Sequence, residues 1–301
     1  MRLSAIICTH NPKMPVLERA IAALKAQDYP VSGYEFLIVD NKSDRPLPES
    51  LVAWHPQGRI LREETLGLTH ARLRAIRESS GELIVFIDDD NILETDYLRV
   101  AAEIATNHDK LGAFGGSMKP EFEVPPPPSI LPYVMYLACS EISRDYWSNF
   151  GSKYAIPSGG GMCVRRNVAE KYLQTIAEDP LRQALGRSGK RLTSGEDHDM
   201  ALVATDINLG IGRFYRLRLT HVIGRERLTE DYIIRLYAGI GQCTKVLDAI
   251  RPHFKSPRGK LETVRFFWHL VHGPQFERRV LWARWKAERE AVRTLSTLGR
   301  L

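Results

Sequence analysis

Apolar residues in the first third of the chain follow two alternating rhythms. Unbroken runs rich in β-branched residues, "LSAIICT" at 3–9, "EFLIVD" at 35–40 and "ELIVFI" at 82–87, read as strands. "GRILRE" at 58–63 reads as a further strand. Between the runs the spacing lengthens. Leu17, Ala20, Ile21 and Leu24 recur every three or four residues, which predicts one apolar helix face. Residues 69–79 have helical composition and end in Ser-Gly, and another helix is expected after the Pro-rich "NKSDRPLPES". Strands that are apolar throughout fit a parallel sheet covered on both faces. The alternation of strand and helix then predicts an α/β fold, with a mostly parallel central sheet flanked by helices.

Beyond "LGAFGGSM" the pattern changes. "EVPPPPS" predicts a stiff extended loop, since proline fixes its own backbone angle and donates no hydrogen bond. "SGGGMCVRR" reads as a Gly-rich turn entering a strand. "LTSGEDHDMALVATDINLG" starts polar and continues as a helix, and "FYRLRLTHVI" reads as a strand running into His221. The last fifty residues, with "FFWHLV" and "RRVLWARWKAEREAVRTLSTL", predict helices that mix Trp and Leu with Arg and Lys. The expected division is a catalytic-type domain at 1–245, with halves 1–118 and 119–245, and a helical extension at 246–301.

Charge sharpens that division. The 301 residues carry a net +6, but residues from 251 onward hold 12 Lys/Arg against 4 Asp/Glu. That segment is +8 and leaves residues 1–250 at −2, so the basic character belongs to the tail. With 44% hydrophobic and 26% charged residues the composition is that of an ordinary globular protein. Cys8, Cys139, Cys163 and Cys243 are scattered without a C-x-x-C pair, so buried free thiols are expected, not a zinc site or a disulfide framework. No apolar run reaches membrane-span length and "MRLSAIICTH" lacks a signal peptide's apolar core, so a cytoplasmic location is expected.

Polar clusters close three of the strands: Thr9-His10-Asn11, Asp40-Asn41, and Asp88-Asp89-Asp90. In open α/β sheets, ligands gather at such carboxyl ends. If the strand stays extended through the triplet, Asp88 and Asp90 point to one side and suit a hard cation such as Mg²⁺ or Mn²⁺. A solvated acidic turn, or a cap for the next helix, is the other reading of the same residues.

The stretches "SAIICTHNP", "AIAALKAQDYP", "EFLIVDNKSD" and "LGLTHARLRAIRESSGELIVFIDDDN" together resemble the nucleotide-sugar-binding half of family-2 glycosyltransferases, over residues 3 to 100 with weaker matches to about 240. The resemblance implies a GT-A fold and an inverting, metal-dependent transfer from a nucleoside-diphosphate sugar, with a UDP-sugar favoured. It places Thr9 and Asn11 against the nucleotide, and Asp40 on the base with Asn41 and Ser43 nearby. Gly67 and Arg72 fall on the family's "G…AR" segment, which faces the diphosphate. Asp88, Asp89 and Asp90 fall on its D-x-D motif, with Asp88 toward the ribose, Asp90 toward the metal and Asp89 beside them. Asp197, with Glu196 its neighbour, matches the catalytic base. Gly159, Gly160 and Gly161 match the loop before the acceptor site. His221 matches a histidine that joins Asp88 and Asp90 as a metal ligand in some relatives.

Each assignment has a structural counterpart. Asp40 could be a turn aspartate and Arg72 a surface helix residue. Ser194 could cap a helix whose first turn holds the acidic residues, the glycines could form only a tight turn, and His221 could be structural. The cofactor implied is Mn²⁺ or Mg²⁺. The partners implied are the nucleotide sugar and a glycan or lipid-linked acceptor in cell-surface polysaccharide synthesis. A basic, Trp-bearing helix within residues 276–298 could contact anionic lipid, or could dock on its own chain or on a second copy. No nucleic-acid-binding motif accompanies the charge. A sugar nucleotidyltransferase is the rival enzyme class, disfavoured because "CTHNPKMP" has no glycine for a phosphate loop. A non-catalytic nucleotide-sugar-binding protein is the rival outside catalysis.

Overall fold

The apolar runs become strands buried on both faces, and their ends define the floor of the site. A computed structural model describes residues 1–150, 152–187, 192–252 and 260–300. Contacts divide it into two compact units. The first comprises Met1–Glu121, Ala138–Glu178 and Asp197–Ile223. Its parallel strands are β1 (Leu3–Thr9), β2 (Tyr34–Asn41), β3 (Gly58–Glu63) and β4 (Leu83–Asp88). They are followed by β5 (Asn91–Leu93), β6 (Leu111–Phe122), β7 (Tyr146–Ser148), β8 (Met162–Arg165) and β9 (Gly210–Ile223).

Among the described residues these strands form one sheet in the order β3-β2-β1-β4-β8-β6-β9-β5, with β7 on β9. The sheet is mixed. Strands β1 to β4 pair in parallel, whereas β8 pairs antiparallel with β4 and with β6, and β5 and β7 pair antiparallel with β9.

Every residue of β1 and β2 is buried, as an all-apolar run requires. One sheet face, with Ala5, Ile7, Phe36, Ile38, Val85 and Ile87, packs in one cluster with Leu17, Ile21 and Leu24 of α1 (Met14–Lys25) and with α3 (Tyr97–Asn107). Helix α2 (Leu68–Glu78) packs on β1 and β2. Helices α4 (Arg166–Glu178) and α5 (Glu196–Asp206) complete the set. The four periodic positions predicted for α1 are its buried residues. The helix expected after the Pro-rich stretch is absent: the chain there makes only a 3-10 turn at Glu49–Leu51. Pro56 would clash with a continuing helix and Gly58 already begins β3, so the segment is too short and interrupted for a full helix.

The second unit comprises Phe122–Leu137, Asp179–Glu196 and Gly224–Leu301. Its helices are α6 (Glu230–Ile250), α7 (Lys260–His272) and α8 (Gln275–Thr297). Helix α6 runs through position 245, where the sequence suggests a boundary. Thr229 caps α6 by accepting from the Tyr232 amide. Helix α8 lies along α6, burying Val280, Ala291 and Leu295. The two axes come close because Gly241 has no side chain; a Cβ there would stand 2.9 Å from the Arg284 backbone oxygen. Cys8, Cys163 and Cys243 are buried and Cys139 is half-buried, all without disulfides. Among the described residues no helix is long and apolar enough to cross a membrane.

Candidate active site at the carboxyl edge of the parallel strands

Parallel register aligns the strand ends. Thr9 stands opposite Asp40, Asp40 opposite Arg62, and Cys8 opposite Asp88. A row of polar side chains therefore follows from three apolar strands and the more polar edge strand β3 ending near one level.

At the β2 end, Asp40 is buried. Its Oδ1 accepts the Ser43 amide at 3.0 Å and its Oδ2 accepts from Arg62 Nη1 at 2.7 Å. The same Arg62 nitrogen donates to the Ser43 carbonyl at 2.9 Å. Asp40 thus serves as a turn aspartate, and it also forms an ion pair that fixes its carboxylate in the row. Ser43 Oγ accepts the Asn11 amide at 2.8 Å, and Asn11 exchanges two hydrogen bonds with Asp44. The β1 and β2 ends are stitched together by these contacts. Asn41 accepts the Gly67 amide at 2.7 Å and donates to the Thr65 carbonyl, holding the loop that starts α2.

Arg72, on α2, is no surface residue: it is 2% exposed. Its guanidinium lies 5.4 Å from the Phe86 ring centroid and 3.5 Å from Asp88 Oδ1. A cation so enclosed is held by aromatic and carboxylate neighbours, which offset its lost hydration.

The triplet departs from the extended geometry expected of it. Strand β4 ends at Asp88, and Asp89 and Asp90 form a turn before β5. The three carboxylates consequently diverge. Asp88 turns to Arg72, Asp89 accepts from the Thr9 hydroxyl, and Asp90 Oδ2 lies 3.4 Å from His221 Nε2. Divergence relieves the repulsion that three adjacent negative charges would otherwise suffer. Asn91, fully buried, ties the turn together: its Oδ1 accepts the Asp88 amide and its Nδ2 donates to Asp90 Oδ1 at 3.2 Å. His221 is buried on β9, opposite Asn91 in the β5–β9 register.

Asp197, in the first turn of α5, accepts the Gly159 amide at 2.8 Å through Oδ2 and the His198 amide at 2.8 Å through Oδ1. Its enclosure would raise the carboxyl pKa, but the charges of His198 and Arg72 and the two amides outweigh it and hold the group below the usual aspartate value. Glu196 is buried at the first helical position, and the helix starts after Gly195, not directly after Ser194.

The three glycines thread between these groups. A Cβ on Gly159 would stand 2.7 Å from Arg72 Nη2 and 3.1 Å from the Asp197 Cβ. One on Gly160 would stand 2.2 Å from Asn91 Oδ1 and 3.0 Å from Asp88 Oδ2. The Gly161 carbonyl accepts from the Tyr97 hydroxyl at 2.6 Å. The space that side chains would take at 159 and 160 is filled by the acidic and basic groups of the site.

Among the described residues no group of three or more His, Cys, Asp or Glu side chains is arranged to hold a metal ion. The donors that do meet are Asp90 and His221, a carboxylate oxygen and an imidazole nitrogen. Mn²⁺ or Mg²⁺ fits such a pair, because these ions take most of their remaining ligands from phosphates and water. Arg62 and Asn91 are the site residues that sequence reading leaves out. Arg62 closes a strand that reads as an ordinary third strand, and Asn91 directly follows the triplet; only the register shows what either one holds.

The Glycosyl transferase family 2 model matches residues 4–173, more than half of the chain. An N-acetylglucosaminyltransferase of Bradyrhizobium sp. (strain ANU 289) is 30% identical over 98 residues, 31% of this chain and 64% of its own. The chain spans less than two-thirds of the length of the curated relatives it matches. Among solved structures, the mannosyltransferase PcManGT from Pyrobaculum calidifontis, in complex with GDP-Man and Mn²⁺, shares the fold with a TM-score of 0.59 at 17% identity. That match covers 99% of this chain and 79% of the other. S. aureus TarS 1-349, in complex with UDP-GlcNAc, matches with a TM-score of 0.54 at 14% identity, over 100% of this chain and 92% of its own.

Proposed function

Because the chain belongs to glycosyl transferase family 2 and has the GT-A fold, we propose that it transfers a sugar from a UDP-sugar to a hydroxyl of a glycan or lipid-linked acceptor, with inversion. The observation that carries this reading is the convergence of Arg72 and Asp197 at Gly159, where a Cβ would meet both side chains. A guanidinium suited to phosphate and a candidate base thus adjoin one side-chain-free position.

In this reading Asp40 accepts from the nucleotide base, its carboxylate fixed by Arg62, while Thr9, Asn11, Asn41, Ser43 and Gly67 shape the nucleotide end. Asp88 takes the ribose, and Asp89, bonded to Thr9, steadies the β1 end. Arg72 faces the diphosphate, where its planar fork suits phosphate oxygens. Asp90 and His221, the two donors that meet, would hold Mn²⁺ or Mg²⁺, with Asp88 left to Arg72; the ion would supply positive charge against the leaving diphosphate. Asp197 removes the acceptor hydroxyl's proton as that oxygen attacks the anomeric carbon. The bond to the diphosphate breaks on the opposite face, so the configuration inverts.

The lowered Asp197 pKa leaves the carboxylate ionised and free to accept a proton at neutral pH, at some cost in basicity. Titration of this base on the acid side therefore falls below the usual aspartate value. A UDP-sugar is supported by the N-acetylglucosaminyltransferase relative and by the UDP-GlcNAc complex of TarS. The pathway proposed is cell-surface polysaccharide synthesis on the cytoplasmic side, with the basic C-terminal helices in peripheral contact with a membrane. Assembly into homo-oligomers is compatible with the reading.

Asp197→Asn tests the chemistry. Transfer from the UDP-sugar should fall by about 10²-fold or more, while UDP affinity, read by calorimetry, stays near wild type. Undiminished turnover in the variant would remove Asp197 from the mechanism.

A further inference from the structure

The sequence points to α8 as the basic amphipathic helix, but the structure spends its apolar positions elsewhere. Val280, Ala291 and Leu295 are buried in the packing of α8 on α6. Helix α7 shows the opposite arrangement. Val264, Phe267, Trp268 and Val271, spaced i, i+3, i+4, i+7, are 66%, 46%, 56% and 61% exposed. That spacing is one helical face. Phe266 and Leu270, on the other side of the helix, are only half-exposed. A helix that is apolar on its inner side and again on its outer side has no reason to keep the outer stripe in water.

The partner helix supplies charge. Trp282, Trp285, Lys286, Arg289 and Arg293 follow the same helical spacing along α8. Trp282 and Trp285 lie 4.9 Å apart, and the Arg289 guanidinium sits 4.8 Å over the Trp285 ring. Trp285, Lys286, Arg289 and Arg293, with Glu290, line a hollow of about 460 Å³. Helices α7 and α8 pack together, and His269 meets Glu277 at 2.9 Å. One hairpin thus presents an apolar aromatic stripe and a row of Trp and Lys/Arg.

We propose that the α7–α8 hairpin is a docking surface for an anionic lipid bilayer, with the Val264/Phe267/Trp268/Val271 stripe at the acyl boundary and Lys286, Arg289 and Arg293 on lipid phosphates. This deepens the membrane contact proposed above and rests on it. Apolar insertion and phosphate attraction act together in such helices, and Trp favours the interface between them. A second copy of the chain is a poorer occupant, because residues from 251 onward carry +8 and would face +8 across a symmetric interface. Nucleic acid would leave the apolar stripe unused.

The test is co-sedimentation of the full chain with vesicles of phosphatidylcholine alone or with about one-third phosphatidylglycerol, at low and high salt. The wild type should sediment with the anionic vesicles at low salt and stay in solution with the neutral ones. Trp268→Ser with Val271→Ser, and separately Arg289→Glu with Arg293→Glu, should each cut vesicle binding by about tenfold or more. All four positions are exposed, so melting temperature and UDP binding should be unchanged in both variants. Retained UDP binding separates a failure here from a failure of the proposed transferase. Absence of sedimentation with anionic vesicles, equal sedimentation of wild type and both variants, or a dimer by light scattering that the stripe variant dissolves, would overturn the proposal.

Discussion

A methyl group on residue 160 would stand 2.2 Å from Asn91 Oδ1, a separation no packed side chain tolerates. Asn91 is buried and fastens Asp88 and Asp90, so it cannot yield without releasing the turn. Gly160→Ala is therefore expected to cost about 1–3 kcal/mol in chemical denaturation, and to weaken metal-dependent nucleotide binding as well. An alanine variant with unchanged stability would mean that the turn can shift at little cost. At this scale the sequence was only half legible. The acidic triplet stands out in any reading, but an extended strand and a turn give its side chains different directions. That choice rests on Asn91 and the β5–β9 pairing, both long-range. Arg72 shows the same limit: its helical position is plain, whereas its burial beside Phe86 and Asp88 depends on what packs over α2.

At the scale of elements, the strands stay in line through a buried carboxylate near their starting edge. Glu35 Oε1 accepts from the Ser4 hydroxyl at 2.8 Å and from the Ser80 amide at 2.6 Å, and Oε2 pairs with Arg59 at 3.2 Å. These bonds join β1, β2 and β3 to the segment entering β4. Burial opposes ionisation of Glu35, but the Ser80 and Ser4 hydrogen bonds and Arg59 outweigh it, and its pKa lies below the ordinary 4.5. A depressed folded-state value contributes stability above the unfolded value, and that stability is lost as pH falls through the folded one. Glu35→Gln should cost about 2 kcal/mol at pH 7, with the gap to wild type closing below pH 4.5. A gap that persists unchanged into acid would assign the effect to packing. The parallel strands and α1 were readable because burial on both faces leaves a continuous apolar run. In the antiparallel half β8 and β9 were anticipated as strands, but β5 and β7 were not, because they are three residues long and owe their pairing to β9, far along the chain.

At the scale of the whole molecule, residues 1–250 carry −2 and the remainder +8. The acidic groups of the first unit include Asp40, Asp88, Asp89, Asp90 and Asp197, with Arg62, Arg72 and His221 set among them. Such a cluster is balanced when an anionic diphosphate and a divalent cation arrive together. A ligand that binds only the folded state raises stability by about 2.7 kcal/mol at one hundred times its Kd, so occupancy can be read as melting temperature. The direct measurement is a thermal-shift series of the full chain with UDP, GDP, dTDP and CDP, each with and without Mn²⁺. UDP with Mn²⁺ should raise the melting temperature by several degrees beyond either alone. Asp90→Ala should abolish that increment and Asp89→Ala should reduce it less. If no nucleoside diphosphate stabilises the wild-type chain in a metal-dependent way, the account of this site as a metal-assisted sugar-nucleotide centre is contradicted.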